Sequence, residues 1–247
     1  MLKVNNLEIS IGKVNLVDGI SFDIAENESL SIIGESGSGK SLTATCIMGL
    51  LPDALGKKGE INFYDKNLLK MTDKEISKLR LKEIAMIYQN PFNALVPVMT
   101  IKDQLNYIYK IQKLPYNHER IESLMAEVNL PMDYLMKYPY ELSGGELQRM
   151  VIMMSMILLP KLLICDEPTT ALDSETGLRI IALLDKLKQE HNMSLLFISH
   201  DLTLANKISD KVLIMQNGKI IESGLSDVVY NHPKEDYTKN LLEAAKF

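Results

Sequence analysis

Eight residues, Gly34-Glu35-Ser36-Gly37-Ser38-Gly39-Lys40-Ser41, fit the pattern glycine, any four, glycine, lysine, serine without a mismatch. Chemistry on phosphate needs this arrangement. The glycines let the backbone wrap closely, so that N–H groups of the loop and of a following helix point at anionic oxygens. Lys40 would neutralise β- and γ-phosphates, and the Ser41 hydroxyl would ligate Mg²⁺. Leu42 and Thr43 continue the candidate nucleotide site into the helix, with Thr43 one turn in and within reach of an α-phosphate.

Two carboxylates, Asp166 and Glu167, end the apolar stretch Leu162-Leu163-Ile164-Cys165. A buried strand delivers its last residues to the sheet edge where α/β proteins bind ligands. There Asp166 could hold the Mg²⁺ shell and Glu167 could polarise a water for attack on a γ-phosphate. A third group, Leu142-Ser143-Gly144-Gly145-Glu146, opens what reads as the longest apolar helix. Ser143 and Glu146 form a capping box. Glycine twice in a first turn costs roughly 1 kcal/mol per residue relative to alanine, but exposes backbone to an approaching anion. Two phosphate-seeking helix starts exceed what one nucleotide needs, and a site shared between two subunits explains the excess.

These groups need a framework, and the pattern supplies one. Lys3 to Ile11 and Gly19 to Ile24 alternate as half-buried strands do. Asn27 in Glu26-Asn27-Glu28 suits a turn with positive φ. Ser29 to Ile33 is a strand feeding the glycine loop, followed by a helix from about Lys40 to Leu50, ended by Pro52. Glu60–Tyr64 and Ile84–Tyr88 read as strands. From Asn90 to about Leu159 the pattern is helical, with Thr100 capping a helix to Ile111 and Asn117 capping His118–Val128. Leu162–Cys165, a helix over Ser174–Glu190 and Leu195–Ser199 restore strand–helix alternation. Asn217-Gly218 marks a hairpin between Lys211–Gln216 and Lys219–Glu222. The stretch from Ser226 is helical.

The composition excludes other classes. Among 247 residues, 27 are Lys or Arg and 32 are Asp or Glu, a net charge of −5. That balance opposes a general electrostatic grip on nucleic acid or anionic lipid. The start Met1-Leu2-Lys3-Val4 has no apolar export core, and the apolar run Met150–Leu159 is too short for a bilayer, which needs roughly 20 residues. Cys46 and Cys165 lie far apart and suit a reducing compartment. Cys165 is expected as an apolar filler, the 14 methionines as core, and His118, His191 and His232 as surface residues.

In order and spacing these residues resemble the ATP-binding subunit of ABC transporters over nearly the whole chain. The resemblance rests on Walker A at Gly34–Ser41, Gln89, the signature Leu142–Glu146, Walker B at Leu162–Asp166, Glu167, the D-loop Ala171-Leu172-Asp173, and His200. Lys40 to Gln89 spans 49 positions, Ser143 to Asp166 spans 23, and Asp166 to His200 spans 34. It implies one α/β domain over 1–247: a P-loop NTPase (RecA-like) parallel-sheet core with an N-terminal antiparallel β subdomain (1–89 and 160–247) and an inserted α-helical subdomain (90–159). It also implies a head-to-tail dimer with two ATP molecules at the interface. Lys40, Ser41 and the loop amides would hold ATP, while Ser143 and Gly145 of the facing subunit would cap its γ-phosphate. Gln89 would meet Mg²⁺ or the attacking water and link the site to a membrane partner. Glu167 would be the general base, His200 would bridge to the γ-phosphate, and Asp173 would signal across the interface. Many relatives place an aromatic ring near Ile11, so an apolar adenine contact with weak ATP-over-GTP discrimination is expected here.

The segments Gln89-Asn90-Pro91-Phe92, Tyr138-Pro139-Tyr140-Glu141, Asp166–Asp173 and the tail His232-Pro233 with Tyr237-Thr238 are similar to the dipeptide/oligopeptide/nickel importer subfamily. That resemblance implies a sister ATPase in a heterodimer, two membrane permease subunits, an extracellular solute-binding protein acting through them, and a peripheral place on the cytoplasmic membrane face. The short tail favours the nickel or metal-chelate branch over peptides. An exporter ATPase shares the motifs. A soluble ABC ATPase acting on DNA or ribosomes would need a longer insertion than the 54 positions between Gln89 and Ser143, or a second motif set.

Overall fold

The computed structural model describes residues 1–244. Its strands are β1 (Leu2–Ile11), β2 (Val14–Ile24), β3 (Ser29–Ile33), β4 (Gly56–Phe63) and β5 (Lys66–Asn67). They continue with β6 (Ile84–Ile87), β7 (Leu162–Asp166), β8 (Ser194–Ser199), β9 (Lys211–Gln216) and β10 (Lys219–Leu225). The helices are α1 (Lys40–Ile47), α2 (Asp73–Ile76), α3 (Ile101–Ile111), α4 (His118–Glu127) and α5 (Gly144–Met156). After them come α6 (Ser174–His191), α7 (Leu202–Ile208), α8 (Ser226–Asn231) and α9 (Asp236–Ala244).

The strands build two sheets. One has the order β2-β1-β4-β5 and is antiparallel. The other has the order β10-β9-β3-β8-β7-β6, parallel except for its β9–β10 hairpin. Strands β3, β7 and β8 are buried at every position, as befits a parallel sheet covered on both faces. Their side chains alternate between two cores. Ile33, Leu163, Cys165, Leu195 and Phe197 join the apolar faces of α3 to α7. Leu30, Ile32, Leu162, Ile164, Leu196 and Ile198 meet α1 and the antiparallel sheet. No described helix is long and apolar enough to cross a membrane.

Local chemistry sets most boundaries. Thr100 and Asn117 cap α3 and α4 through their side chains, and Asn27, Asn217 and Gly218 take positive φ at their turns. Several expected boundaries move. Helix α1 stops at Ile47 because Gly49, at φ +63, turns the chain and its N–H caps the Cys46 carbonyl, so Pro52 is not the terminator. Strands β2 and β4 begin at Val14 and Gly56, earlier than alternation indicates, because backbone pairing with β1 extends them (Ile11 with Val14, Ser10 with Gly56). The C-terminal helical stretch is broken between α8 and α9 around Pro233, and residues 245–247 lie outside the described residues. His191 is not a surface residue: only 18% of its side chain is exposed, and its Nε2 lies 2.7 Å from Glu127 Oε2, tying α6 to α4.

Candidate active site

Parallel pairing brings the expected chemistry to one sheet edge. Ile33 pairs with Ser199, Asp166 with Ile198, and Ile87 with Cys165. The C-terminal ends of β3, β8, β7 and β6 are therefore level. Gly34, His200, Glu167 and Gln89 leave those ends, at the side where open α/β sheets bind ligands.

The glycine loop joins β3 to α1. Gly37 and Gly39 have φ of +82 and +103, a backbone open to glycine at no steric cost. Gly34 permits a close approach: a Cβ there would lie 2.0 Å from the Met215 carbonyl oxygen. Helix α1 has no side-chain cap, so its first N–H groups, which lack intrahelical acceptors, face the loop. The Ser38 hydroxyl is buried with no hydrogen-bond partner. Lys40 is 4% exposed and its ammonium donates to the Gly34 carbonyl at 2.7 Å and the Glu35 carbonyl at 2.8 Å. Burial lowers its pKa, against the pull of the Glu167, Asp166 and Glu35 carboxylates. Orphan N–H groups, an orphan hydroxyl and an ammonium converging on one loop suit a polyphosphate. Thr43 is fully buried one turn into α1, and its hydroxyl donates to the Gly39 carbonyl at 3.0 Å, which supports the helix start.

Ser41 and Asp166, 125 positions apart, meet with the hydroxyl donating to Asp166 Oδ1 at 2.9 Å. Burial raises the Asp166 pKa, with the Ser41 hydrogen bond opposing. A hydroxyl, a desolvated carboxylate and the nearby Gln89 amide make an all-oxygen set, and hard cations such as Mg²⁺ favour such donors.

Glu167 gathers the remaining groups. Its Oε2 accepts from Gln89 Nε2 at 3.1 Å and from the Thr170 hydroxyl at 2.9 Å, and lies 3.2 Å from His200 Nδ1. Its backbone has φ +48, the left-handed region that non-glycine residues occupy at a cost of about 1–3 kcal/mol. The Glu167 N–H, bonded to the Ile198 carbonyl at 2.9 Å, holds the chain there. A carboxylate oriented by three partners and 15% exposed can take a proton from a water at this edge. Cys165, one residue before Asp166, is fully buried and its thiol is pushed well above its ordinary pKa by desolvation, which removes reactive thiolate.

The signature residues lie apart from this cluster. Ser143 N–H and Oγ donate to Glu146 Oε2 at 2.8 and 2.7 Å, and Tyr134 donates to Glu146 Oε1 at 2.8 Å. These bonds hold the Glu146 carboxyl down at about 2. Among the described residues, no hydrogen bond joins Leu142–Glu146 to Gly34–Ser41. Gly144 and Gly145 face the D-loop side instead: a Cβ on Gly144 would lie 3.7 Å from Leu172, and one on Gly145 3.0 Å from Thr176. The second glycine thus also serves packing against α6. Asp173 caps α6, accepting from Thr176 N–H at 2.9 Å. Sequence reading passed over Thr170, although it lies in the Glu167 motif, and Tyr134, for which no spacing signal exists.

Beside the cluster lies an apolar groove of about 580 Å³, lined by Tyr88, Leu95, Val96, Met99, Tyr107 and Met154 among others. Gln104 shapes its rim, accepting from Val96 N–H and donating to the carbonyls of Val96 and Met99 at 3.0–3.1 Å. Ile11, 53% exposed at the end of β1, offers an aliphatic surface and no ring.

A family profile described as ABC transporter matches residues 17–170. The metal-staphylopine import system ATP-binding protein CntD of Staphylococcus aureus is 40% identical over 236 residues, covering 94% of this chain and 87% of that protein. The oligopeptide transport ATP-binding protein OppD of Bacillus subtilis is 39% identical over 253 residues, covering 98% and 71%. Among solved structures, cbiO1 of Clostridium perfringens, part of the ABC transporter complex cbiONQ, superposes with a TM-score of 0.82 at 27% identity, covering 94% of this chain and 90% of that one. The ATP-binding cassette MJ0796, solved as a dimer in a post-hydrolysis state with ADP and Pi, gives 0.79 at 26%, covering 92% and 99%.

Proposed function

The chain belongs to the ABC transporter family as an ATP-binding subunit that hydrolyses ATP to drive transport, and from that premise we propose that it powers import of peptides or metal chelates. The observation that carries the residue assignment is the convergence of Gln89, Thr170 and His200 on one oxygen of Glu167, beside the Ser41–Asp166 pair.

In this reading the loop amides and Lys40 hold the ATP phosphates, the Lys40 ammonium keeping the Gly34 carbonyl and turning its other N–H groups to phosphate oxygens. Ser41, Asp166 and Gln89 hold Mg²⁺, which when bound draws off charge developing on the transferred phosphoryl group. Glu167 takes the proton of the attacking water while Gln89 and Thr170 keep its carboxylate in place. His200, 58% exposed, presents its ring to the γ-phosphate. Ser143 and Gly145 act on the nucleotide of a facing cassette; their separation from the chain's own phosphate loop supports that division. Closing the pair of cassettes does mechanical work and hydrolysis reopens it.

The groove beside Gln89 is the docking surface for a permease. It is apolar, and Phe92 and Val98 stand exposed near it. The partner cassette is a sister subunit rather than a second copy, and two permeases hold the pair at the cytoplasmic face of the membrane. A solute-binding protein and the permeases select the cargo. The S. aureus relative, an import-system ATP-binding protein, supports this direction of transport, and the oligopeptide transport protein of B. subtilis supports the cargo class; each is matched over most of its length. Pull-down from native membranes tests it: permeases, a second ATPase and a solute-binding protein should co-purify, and recovery with ribosomes or nucleic acid alone would overturn it.

A further inference from the structure

Helix α9 touches the phosphate loop. The Tyr237 hydroxyl accepts from the Glu35 N–H at 3.3 Å, across 202 positions. That N–H belongs to the same peptide unit as the Gly34 carbonyl, which holds the Lys40 ammonium at 2.7 Å. A peptide unit is planar, so its N–H and C=O ends turn together. Tyr237 and Lys40 therefore grip opposite ends of one rigid plate. The next carbonyl along, Glu35 O, also accepts from Lys40 at 2.8 Å and from Ser38 N–H at 3.2 Å.

Tyr237 stands on a well-anchored support. Glu222 of β10 accepts from the N–H groups of Lys234 and Glu235 at 2.8 and 3.2 Å, just before α9. Thr238, the neighbour of Tyr237, is fully buried. In α8, the Tyr230 hydroxyl donates to the Leu202 carbonyl at 2.8 Å, a second tether that does not reach the phosphate loop.

We propose that Tyr237 is a positioning residue for ATP binding: its hydroxyl holds the Gly34–Glu35 peptide plane, and through it the Lys40 ammonium, in the arrangement the phosphates meet. The proposal rests on Gly34–Ser41 being the nucleotide loop. A loop ordered in advance loses less freedom on binding, so its affinity is higher. Tyr237→Phe deletes the acceptor and keeps the ring.

Titration calorimetry of the purified full chain with ATP and Mg²⁺ tests this. Tyr237→Phe should raise Kd about three- to tenfold, the weight of one hydrogen bond. Its Tm should not move, and amide exchange at Glu35 should quicken. In the assembled transporter, KM for ATP should rise by the same factor with kcat kept. Tyr230→Phe, which releases the other tether, should leave Kd within about twofold. An unchanged or lower Kd in Tyr237→Phe overturns the proposal, as does equal weakening by Tyr230→Phe, which would make tail docking the cause. Lys40→Ala separates the two levels. It should lose ATP binding, and normal binding there would overturn the loop assignment and the proposal with it.

Discussion

Gln89 Nε2 lies 3.1 Å from Glu167 Oε2, although the residues are 78 positions apart in the chain. Tyr88, the residue before Gln89, lines the apolar groove. One peptide bond and one hydrogen bond thus connect the groove proposed to dock a permease to the carboxylate proposed as general base. A shift of the β6 end by a docked permease would change the partners of that carboxylate, which gives a physical route from transporter to ATPase.

Glu167→Gln should abolish turnover, by about 10²-fold or more, the usual contribution of a general base. ATP binding should survive, since Lys40 and the loop are untouched, and a nucleotide-bound dimer should accumulate. Phosphate release and size-exclusion chromatography report both. Turnover at the normal rate would refute the general-base assignment.

Ser143→Arg should block cassette pairing while sparing ATP binding by the same chain. The substitution also removes the cap of α5, at a cost of about 1 kcal/mol, so its Tm should fall slightly. Binding lost in the isolated monomer would show that Ser143 serves its own chain's nucleotide, against the shared site.

Glu146 carries a pH signature. Its carboxyl is depressed from 4.5 to about 2, chiefly by the Ser143 hydroxyl, then by Ser143 N–H and Tyr134. A depressed carboxylate stabilises the fold fully above about 4.5 and loses that contribution as pH falls towards about 2. Glu146→Ala should therefore lower Tm at neutral pH, by about 1 kcal/mol of stability for a partly solvated cap. The gap to the parent protein should close on acidification, as circular-dichroism melts over a pH series would show. A gap independent of pH would contradict the charged capping box.

ATP and GTP should be hydrolysed with similar kcat/KM, within about fivefold, or about 1 kcal/mol. Ile11 offers dispersion contact to either base without reading its edge. Ile11→Tyr should tighten nucleotide binding by about 0.5–1.5 kcal/mol, the value of a stacked aromatic pair. A strong ATP preference in the parent protein would mean that another group recognises adenine.

What could be read from the sequence was set by local physics. The phosphate loop, the caps at Thr100, Asn117 and Ser143 and the Asn217-Gly218 turn depend on neighbours within a few residues, and each residue type there has one dominant conformational reason. Parallel strands buried on both faces are also legible as short apolar runs. The strand boundaries that moved had non-local causes. Alternation could not predict that pairing with β1 extends β2 and β4. A lone histidine at the end of α6 could not announce its Glu127 partner, 64 positions away.

The sequence by itself therefore determined which chemistry the chain carries: a phosphate loop, two strand-end carboxylates, a glycine-opened helix and their order. Only the tertiary structure decided how those groups act together. The level ends of β3, β6, β7 and β8 bring Ser41 to Asp166 and both Gln89 and His200 to Glu167. It also held Glu167 at positive φ and placed Tyr237 against the loop. The physical reason is range. Spacing encodes contacts made along the chain, whereas these contacts span up to 202 positions and exist only once a hydrogen-bonded sheet has brought its strand ends to one edge.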